Sequence, residues 1–428
     1  MPDVSATTRA PDPVDLVVIG MGYVGLPLAQ TAVEAGLSVV GLDVDDGRVA
    51  VLSAGRSPVQ DVTDAELGAM LRAGFRATTD PACLSVSAAA VICVPTPLSL
   101  DGMPDLQAIR ATASVIARHL HAGMLVVLES TTYPGTTEEV VQPLLEATGM
   151  AVGEDFFLAY SPERIDPGNT RFTVRTTPKI VSGVTRRCQE AATSLYGKLV
   201  DRVVPTRGTR EAEMAKLLEN TYRHVNIALV NEMAVFCDEL GIDLWEAIAA
   251  ASTKPFGFQA FRPGPGVGGH CIPVDPNYLS FKFRSLGYPF RFVELAQEIN
   301  RRMPAYVVLR AQRLLNDHAK AVRGAAVTLL GVTYKPDVAD QRETPARPVG
   351  RRLLKLGAQL SFHDPYVREW QLEGRTLVSV KLDEAIDQAD LVIVLQAHAA
   401  YDFDDIARRS RLILDTGGRV RGPNVERL

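Results

Sequence analysis

The first half of the chain alternates short runs of β-branched and apolar residues with stretches whose apolar positions repeat every three to four residues. The first pattern predicts strands buried on both faces, and the second predicts amphipathic helices. The predicted strands are Asp15–Gly20, Ser38–Asp45, Ala90–Thr96 and Leu125–Thr131, followed by Phe156–Ser161, Ile180–Ser182 and Val203–Pro205. Helices are predicted between them, at Leu26–Ala35 and Leu106–Leu120. This βαβα order predicts a doubly wound, parallel sheet.

A long helix is predicted at Arg210–Leu240, in the middle of the chain. Thr209 is placed to cap its N-terminus, and Gly241 is placed to end it. Its apolar residues keep helical spacing, at Met214, Leu217, Leu218, Val225, Leu229 and Met233. An ordinary connecting helix explains this face fully, and a helix between two α/β halves is also placed to form an oligomer contact.

A second alternating set of strands and helices follows. Its predicted strands are Ala325–Thr333, Gln359–His363, Leu391–Gln396 and Leu412–Thr416. We therefore predict an α/β fold with two doubly wound Rossmann-like domains joined by a long central helix. The predicted domains are an α/β domain at 14–205, a central helical domain at 206–314 and a second α/β domain at 315–428.

Composition and charge narrow the class of protein. The 428 residues include 45 Lys and Arg against 50 Asp and Glu, and the net charge of −5 gives no general attraction to nucleic acid or anionic lipid. The five cysteines are scattered without a C-x-x-C pair, which argues against a disulfide framework and a zinc cluster. No segment has the apolar length of a signal core or a membrane helix. A cytoplasmic protein is therefore expected, with a disordered leader at residues 1–13.

A dinucleotide site is predicted directly after the first strand. The segment Gly20–Gly25 reads G-M-G-Y-V-G, and its glycines permit a tight turn and close approach to a pyrophosphate at the following helix N-terminus. Asp43 ends the second strand about 20 residues further on, where a carboxylate accepts hydrogen bonds from ribose hydroxyls. It would repel a 2′-phosphate, so the sequence favours NAD over NADP, although Arg48 lies close by. A strand–helix turn without a ligand is the alternative interpretation.

Cys271 is the candidate nucleophile. It follows Gly268, Gly269 and His270 in a glycine-rich loop, and Asp275 comes four residues later. An accessible thiol suits this setting better than a core position, whereas the other four cysteines lie in predicted strands or helices. Adjacent His and Cys rarely bind one ion, and no second cluster accompanies them, so no metal site is predicted.

Two further groups are candidates for the same chemistry. Lys216 and Asn220 share a face of the long helix because they are four residues apart. An ammonium beside an amide can stabilise an oxyanion and lower the pKa of a thiol, although solvated charges are the more ordinary interpretation. Glu163 and Arg164 follow a predicted strand end, which is where α/β sheets place their ligands.

With these residues in place, the sequence resembles the UDP-glucose/GDP-mannose dehydrogenase family over about residues 14–420. The resemblance rests on GMGYVGLPLA, VPTPL, ESTTYPGTT, SPERIDPGN, EMAKLLENTYRHVNIALVNE, GPGVGGHCIPVDP and YKPDVADQRETP. SPERIDPGN, KPFGF and GGHCIP are most similar to the branch that acts on UDP-N-acetylhexosamines, above all on UDP-N-acetylglucosamine. The resemblance implies an NAD-binding first domain, a central dimerisation and catalytic domain, and a UDP-sugar-binding last domain.

The same resemblance implies a mechanism. Two NAD-dependent oxidations convert the C6 alcohol of the sugar to a carboxylate, through a thiohemiacetal and then a thioester on Cys271. Lys216 and Asn220 would stabilise the oxyanion, and Asp275 would activate Cys271 or water. Glu163 would be the base for hydrolysis, with Thr131 positioning the same water. The roles of Lys216, Glu163 and Asp275 remain interchangeable on sequence alone.

The remaining binding residues also come from the resemblance. The implied cofactor set is Gly20, Gly22, Tyr23, Val24, Gly25, Asp43, Arg48, Thr96, Thr131 and Arg342. The implied substrate set is Glu163, Arg164, Lys216, Asn220, Arg262, Gly268 and Lys335. The family further implies a homodimer or higher oligomer and a UDP-sugar as substrate. The charge and the lack of long apolar segments predict no nucleic acid or membrane partner.

The sequence departs from the family pattern at two places, and two other functions remain as alternatives. Asn277 replaces an expected aromatic residue, and Asp415–Arg419 reads D-T-G-G-R instead of a compact D-T-R, which puts a role for Arg419 in doubt. A two-electron dehydrogenase of the hydroxyacid type needs neither Cys271 nor a third domain, and a non-catalytic NAD-binding regulator would keep only the fold. The sugar stays open among UDP-N-acetylglucosamine, its manno and galacto epimers, and UDP-glucose.

Overall fold

The computed structural model describes residues 13–99, 103–166, 169, 171–269, 272 and 274–428. The chain divides into two compact units, which we call the N-terminal unit (Met1–Leu218) and the C-terminal unit (Glu219–Leu428). Cys271 and nearly all of the predicted leader lie outside the described residues. Within those ranges, every helix is too short or too polar to span a lipid bilayer.

The N-terminal unit is built on one sheet in the order β3-β2-β1-β4-β5-β6-β7-β8. Its strands are β1 (Val14–Ile19), β2 (Val39–Leu42), β3 (Arg76–Thr78), β4 (Ser87–Ile92), β5 (Leu125–Leu128), β6 (Phe157–Tyr160), β7 (Lys179–Gly183) and β8 (Val203–Pro205). Its helices are α1 (Gly25–Glu34), α2 (Asp46–Ser53), α3 (Asp64–Arg72), α4 (Gln107–His119), α5 (Gln142–Glu146) and α6 (Arg186–Tyr196). A 3₁₀ turn at Pro81–Val86 and a π-helical turn at Thr137–Val141 complete it.

The predicted parallel sheet is confirmed except at one pair of strands. β1, β4 and β5 are fully buried along most of their length, which explains their continuous apolar runs. β6 and β7 pair antiparallel, with Ala159 opposite Gly183 and Tyr160 opposite Ser182. Several strands end earlier than predicted: β4 stops at Ile92 and β5 at Leu128, so Thr96 and Thr131 lie in the loops beyond them.

The long central helix is confirmed as α7 (Thr209–Glu239), and the boundary between the two units falls inside it. Gly241 follows it with φ +65°, a conformation that favours glycine and stops the helix. The prediction that Thr209 caps the N-terminus is wrong: its hydroxyl donates to the Glu138 carboxylate instead. The division of the chain at residues 205 and 314 stays a prediction.

The C-terminal unit contains a second parallel sheet in the order β10-β9-β13-β14-β15. Its strands are β9 (Ala326–Leu330), β10 (Gln359–His363), β13 (Leu391–Val394), β14 (Ile413–Asp415) and β15 (Val425–Arg427), with a hairpin of β11 (Glu369–Leu372) and β12 (Arg375–Val378). Its helices are α8 (Leu244–Ala251), α9 (Asp275–Ser285), α10 (Arg291–Asp317), α11 (Ala346–Leu356), α12 (Leu382–Gln388) and α13 (Phe403–Arg409). The predicted α/β class, with a long helix in the middle of the chain, is confirmed.

Candidate active site

The turn after β1 contains three glycines, and at two of these positions there is no space for a side chain. Gly20 has φ +96°, and a Cβ there would lie 2.6 Å from the Cys93 carbonyl oxygen. A Cβ on Gly25 would lie only 1.9 Å from the Gly20 carbonyl oxygen. Gly22 differs, because the nearest atom to its added Cβ is the Arg48 Nη1 at 4.0 Å. The backbone at Gly22 is therefore open to a ligand, while Gly20 and Gly25 shape the turn.

The start of α1 is suited to bind a phosphate. Val24 precedes the helix, and among the described residues no side chain caps its first N–H groups. These groups carry the positive end of the helix dipole, so they favour an anion. Tyr23 is half-buried and packs against the apolar core beneath the sheet. The local geometry therefore fits a pyrophosphate at Gly22, as the sequence predicts.

Asp43 is a fixed acceptor at the end of β2. Its carboxylate accepts from the Met21 N–H at 2.8 Å and from the Asp45 N–H at 3.0 Å. The Arg48 guanidinium forms an ion pair with it at 3.3 Å. These contacts tie the acidic residue to the glycine turn, so both parts of the predicted dinucleotide site hold each other in place.

Thr96 and Thr131 lie beyond the carboxyl ends of neighbouring strands. Thr96 follows β4 and is 7% exposed, whereas Thr131 follows β5 and is half-buried. β4 and β5 pair in parallel, from Ala89–Leu125 to Ile92–Leu128. Both threonines thus leave the sheet at the edge where parallel sheets bind ligands.

Glu213 is a fully buried carboxylate that sequence reasoning placed only in the first turn of α7. It accepts hydrogen bonds from the N–H groups of Gly135 and Thr137 and from the Thr137 hydroxyl. Burial raises the pKa of Glu213 to about 7, although these three donors act in the opposite direction. Glu213 therefore anchors the loop that begins at Thr131. Glu213 lies three residues before Lys216, on the same helix face, and this spacing was the sequence signal that could have indicated its position beside the site.

Lys216 and Glu163 meet inside the N-terminal unit. The Lys216 Nζ donates to the Glu163 main-chain oxygen at 2.6 Å and lies 3.9 Å from its Oε2. The Glu163 carboxylate also accepts from the Ile165 N–H. Burial raises the pKa of Glu163, while Lys216 and Lys179 act in the opposite direction. The structure thus brings together the predicted oxyanion-stabilising lysine and the predicted base.

Arg164, by contrast, forms a hydrogen bond to the main chain of the protein. Its Nη1 donates to the Pro178 carbonyl oxygen at 2.6 Å, just before β7. This contact fixes the segment that carries Glu163. Arg164 therefore has a structural role, and its contact with the substrate stays a prediction.

In the C-terminal unit, Asn220 donates through its Nδ2 to the Asp275 carboxylate. Asp275 is the first residue of α9 and is only 3% exposed. A carboxylate at a helix N-terminus is stabilised by the helix dipole. The bond orients the Asn220 amide, and it shows that two of the predicted catalytic residues lie side by side.

The glycine loop before Cys271 packs tightly on the segment around Tyr334. A Cβ on Gly268 would lie 2.7 Å from the Glu343 carbonyl oxygen and 2.8 Å from the Tyr334 Cβ. Gly269 has φ +87° and donates its N–H to the Arg342 carbonyl oxygen at 3.2 Å. The structure therefore brings Gly268 and the segment with Lys335 and Arg342 together.

The predicted cationic groups of this unit differ in exposure. Lys335 is half-buried, whereas Arg262 and Arg342 are exposed. Arg342 forms hydrogen bonds to the Asp340 carboxylate at 2.9 and 3.0 Å through its Nε. Arg262 and Arg342 are thus both more exposed than Lys335, and Asp340 holds Arg342 in a preset direction.

The four described cysteines have the surroundings of packed residues. Cys188 is buried and accepts from the Thr185 hydroxyl at 3.1 Å. Cys237 packs beside the small core of Ala234, Leu244 and Ile248. Burial raises the pKa of the Cys83 thiol and raises that of Cys93 well above its usual range. These features favour Cys271 as the nucleophile by comparison.

Both departures from the family pattern have a local explanation. The Asn277 amide oxygen accepts from the Gln297 Nε2 at 3.1 Å, so it joins α9 to α10. Asp415 accepts from the N–H groups of Gly417, Gly418 and Val420, which closes the D-T-G-G-R segment into a tight turn. Arg419 is exposed on this turn.

Comparison with known proteins gives a consistent result. Models of the UDP-glucose/GDP-mannose dehydrogenase family match residues 14–200 (NAD binding domain), 210–302 (central domain) and 328–421 (UDP binding domain). The match to an NAD binding domain confirms NAD as the cofactor.

Individual relatives cover most of the chain. It is 39% identical over 361 residues to the UDP-N-acetyl-D-glucosamine 6-dehydrogenase of Pseudomonas aeruginosa, covering 82% of this chain and 83% of the relative. It is 33% identical over 414 residues to the UDP-N-acetyl-D-mannosamine dehydrogenase of Methanocaldococcus jannaschii, covering 94% and 91%. A solved UDP-D-ManNAc dehydrogenase from Pyrococcus horikoshii matches with a TM-score of 0.87 at 31% identity, covering 96% of this chain and 98% of that one.

Substitution of the turn glycines separates cofactor binding from folding. Gly22→Ala adds a methyl group in open space, so we expect normal unfolding but NADH binding weaker by at least roughly tenfold. Gly25→Ala forces its Cβ against backbone and lowers the free energy of unfolding by about 1–3 kcal/mol. Fluorescence titration with NADH and urea unfolding measure the two effects. Gly68→Ala, in α3, is the control and leaves NADH binding unchanged; equal NADH affinity in Gly22→Ala would contradict the assignment.

Glu213 makes stability depend on pH. Its pKa is raised from 4.5 to about 7 in the folded protein, so the folded state keeps a proton that the unfolded state releases. Its contribution is complete below pH 4.5 and is lost as pH rises through about 7, a decrease of about 3 kcal/mol. We expect Glu213→Gln to remove this decrease, measured from urea midpoints between pH 5 and pH 8. The exposed Glu211→Gln is the control, and an unchanged pH dependence in Glu213→Gln would show that Glu213 does not titrate in this range.

Proposed function

Because the chain belongs to the UDP-glucose/GDP-mannose dehydrogenase family, we propose that it oxidises the C6 alcohol of a UDP-N-acetylhexosamine to the uronic acid, with UDP-N-acetylglucosamine as the first candidate. The observation that carries the proposal is the buried pairing of Lys216 with Glu163, a cation and a carboxylate beyond the end of a sheet strand. UDP-N-acetylmannosamine, UDP-N-acetylgalactosamine and UDP-glucose are the alternative sugars.

Two observations support UDP-N-acetylglucosamine as the first candidate. Identity to the Pseudomonas UDP-N-acetyl-D-glucosamine 6-dehydrogenase is 39%, against 33% for the UDP-N-acetyl-D-mannosamine dehydrogenase of Methanocaldococcus. The segment Ser161–Asn169 also resembles that branch. Asn277 adds a polar group where an aromatic residue is expected, and it is the position at which we expect the sugar pocket to differ.

The cofactor would lie along the glycine turn, with its pyrophosphate at Gly22 and the N-terminus of α1 and its adenosine ribose at Asp43. NAD supplies a hydride acceptor for the C6 hydrogen in each of the two oxidations. Thr96 and Thr131 would line the same edge of the sheet. Arg48, paired with Asp43, would flank the adenine side.

The chain's own residues would perform the acid–base chemistry. A base removes the C6 hydroxyl proton, and the Cys271 thiolate then adds to the aldehyde carbon, which keeps the aldehyde on the protein. Lys216 and Asn220 would donate hydrogen bonds to the C6 oxygen as negative charge develops there. Asp275 would hold the Asn220 amide in the donating direction. A second oxidation leaves a thioester.

Hydrolysis of the thioester would use Glu163. Its carboxylate would take a proton from water positioned by Thr131, and the hydroxide oxygen would bond to the thioester carbon. The carbon–sulfur bond then breaks, and its electron pair returns to the Cys271 sulfur. A carboxylate with a raised pKa is suited to this step because it is a stronger base than an ordinary glutamate.

The C-terminal unit would hold the nucleotide. Lys335 is the proposed partner for the pyrophosphate, Arg342 is proposed to contact either this pyrophosphate or the cofactor, and Arg262 is a further phosphate contact. Gly268 allows the loop before Cys271 to approach Tyr334 closely. Arg164 would add a contact to the substrate. The cytoplasmic location inferred from the cysteine pattern stays a prediction.

Counting electrons tests the covalent mechanism. We expect about two NADH for each UDP-N-acetylglucosamine consumed, and we expect Cys271→Ser to lose roughly a thousandfold or more in turnover. Absorbance at the NADH band and product analysis over a panel of UDP-hexoses measure both quantities. Cys83→Ser is the matched control. One NADH per sugar, or full oxidation by Cys271→Ser, would return the two-electron hydroxyacid-type reaction to first place.

A homodimer through α7 is the proposed assembly. This helix exposes an apolar stripe at spacings of three, four and seven residues, formed by Met214, Leu218, Tyr222, Leu229, Met233 and Phe236, and Leu240 extends it just after the helix ends. Leu229 is 53% exposed and Phe236 is 62% exposed, which is unusual for large apolar residues on one helix face. A second copy of the same stripe is a complementary partner because both surfaces are apolar and elongated.

Charge on the stripe tests the assembly. The double variant Leu229→Glu and Phe236→Glu places carboxylates across a desolvated contact, so we expect sedimentation velocity to show monomers where the native chain forms dimers. Leu356→Glu changes a 38% exposed leucine on α11 and serves as the control. A native chain that sediments as a monomer, or a double variant that still forms dimers, would contradict this interface.

A further inference from the structure

A second buried ion pair lies beside Glu163, and the mechanism described so far does not use it. Glu129 follows β5 and is 1% exposed, and Lys179 begins β7 and is 7% exposed. The Lys179 Nζ lies 3.0 Å from the Glu129 Oε1. The Tyr196 hydroxyl, from α6, donates to the same carboxylate oxygen. We call Glu129, Lys179 and Tyr196 the buried charge cluster.

The buried charge cluster shares a cavity with Glu163. Glu129, Lys179 and Glu163 all line this cavity, and its volume of about 20 Å³ is enough for one water molecule. The Lys179 ammonium also lies over the Tyr196 ring, 5.3 Å from its centroid. Charges enclosed together in this way interact more strongly than they would in water, because the surrounding medium is less polarisable.

Stability alone does not account for the pair. Removal of two charges from water carries a large desolvation penalty. A protein with apolar residues of the same volume in place of a buried ion pair is often at least as stable. Structural registry is the ordinary alternative, since Glu129 joins β5 to β7 and α6 across the sheet. The shared cavity with Glu163 adds a second role, because charges that line one cavity affect the ionisation of one another.

We propose that Glu129 and Lys179 are positioning residues that control the charge of Glu163 and thereby the pH range in which it acts as the base for thioester hydrolysis. This inference rests on the proposed function. Neither residue is proposed to touch the substrate.

The groups that interact with Glu163 come from four segments. They are Lys216 on α7, Lys179 on β7, Glu129 after β5 and Cys93 after β4, with Arg164 adjacent in the chain. Tyr196 on α6 contacts Glu129. Burial raises the pKa of both Cys93 and Tyr196 well above the usual range, so both are neutral at working pH. The charges that bear on Glu163 are therefore the two lysines, which lower its pKa, and Glu129, which raises it.

The balance has a mechanistic consequence. Glu163 must be ionised to take a proton from water, and it must also give that proton up before the next cycle. Two neighbouring lysines alone would make it a weak base, because they stabilise its ionised form. Glu129 neutralises Lys179 and so leaves Lys216 as the main cation beside Glu163. The pair thus limits how far the neighbouring cations lower the pKa of Glu163, so the buried carboxylate remains able to accept a proton.

Single variants of the pair shift the pH profile in opposite directions. Glu129→Gln leaves the Lys179 charge uncompensated, so the acid limb of the hydrolysis rate moves to lower pH, by about one pH unit. Lys179→Met removes a cation, so the acid limb moves to higher pH by a similar amount. This direction holds even where Glu129 then takes up a proton, because Lys179 affects Glu163 more than Glu129 does. The double variant lies between the two single variants.

The measurement uses the full chain with NAD and UDP-N-acetylglucosamine. Rapid quenching at a series of pH values, followed by mass spectrometry of the Cys271 adduct, gives the rate of thioester hydrolysis. Glu190→Gln, in an exposed ion pair with Arg186 on α6, is the matched control and leaves the profile unchanged. Urea unfolding verifies that each variant is folded, and the double variant avoids an unpaired buried charge.

Titration without substrate separates this inference from the proposed function. In protein labelled with ¹³C at the glutamate carboxyl carbons, the Glu163 signal is assigned by its loss in Glu163→Gln, and its midpoint moves down in Glu129→Gln and up in Lys179→Met. Midpoints that stay unchanged or move in one common direction would overturn the inference. A wild-type chain that forms no NADH with any UDP-sugar would overturn the proposed function, while the shifted carboxyl midpoints would still support electrostatic control of Glu163.

Discussion

A buried ammonium group, that of Lys216, is the constraint from which the rest of the site follows. Almost no water reaches it, so its hydrogen bonds must come from the protein, and the Glu163 main-chain oxygen supplies one of them. The loop after β6 is therefore fixed to α7. One turn earlier, Glu213 fixes the loop after β5 to the same helix. A long helix thus serves as a rigid support on which two strand-end loops are mounted, and this arrangement suits a reaction that needs accurate positions.

Much of the fold could be predicted because local and global signals agree. The strands of the first sheet are apolar runs bounded by glycine and polar residues, and α7 has an apolar repeat and a stop at Gly241. The antiparallel pairing of β6 and β7 was not predictable, since a fully buried strand has the same composition in either direction. The hairpin of β11 and β12 was also missed, because five of its eight strand residues are exposed and its apolar pattern is weak.

The candidate site was predictable where chemistry and spacing coincide in one segment. Gly20, Gly25 and Asp43 carry a known steric and electrostatic logic, and the structure gives each the expected surroundings. Glu129 and Lys179 carry no such signal, since 50 residues separate them and each could equally lie on the surface. Their burial and pairing depend on which strands neighbour one another. Long-range partners of this kind are the part that a single sequence does not contain.

The contacts of Asp43 bear on how cofactor preference can change in this protein. The same carboxylate that would recognise a ribose also holds the N–H groups of Met21 and Asp45. A replacement that admits a phosphorylated ribose but carries no acceptor oxygen would leave those two N–H groups unpaired and would loosen the turn at Gly20. Cofactor preference and the folding of this turn therefore depend on the same side chain. A switch would require compensating substitutions in the turn itself, made together with the change at Asp43.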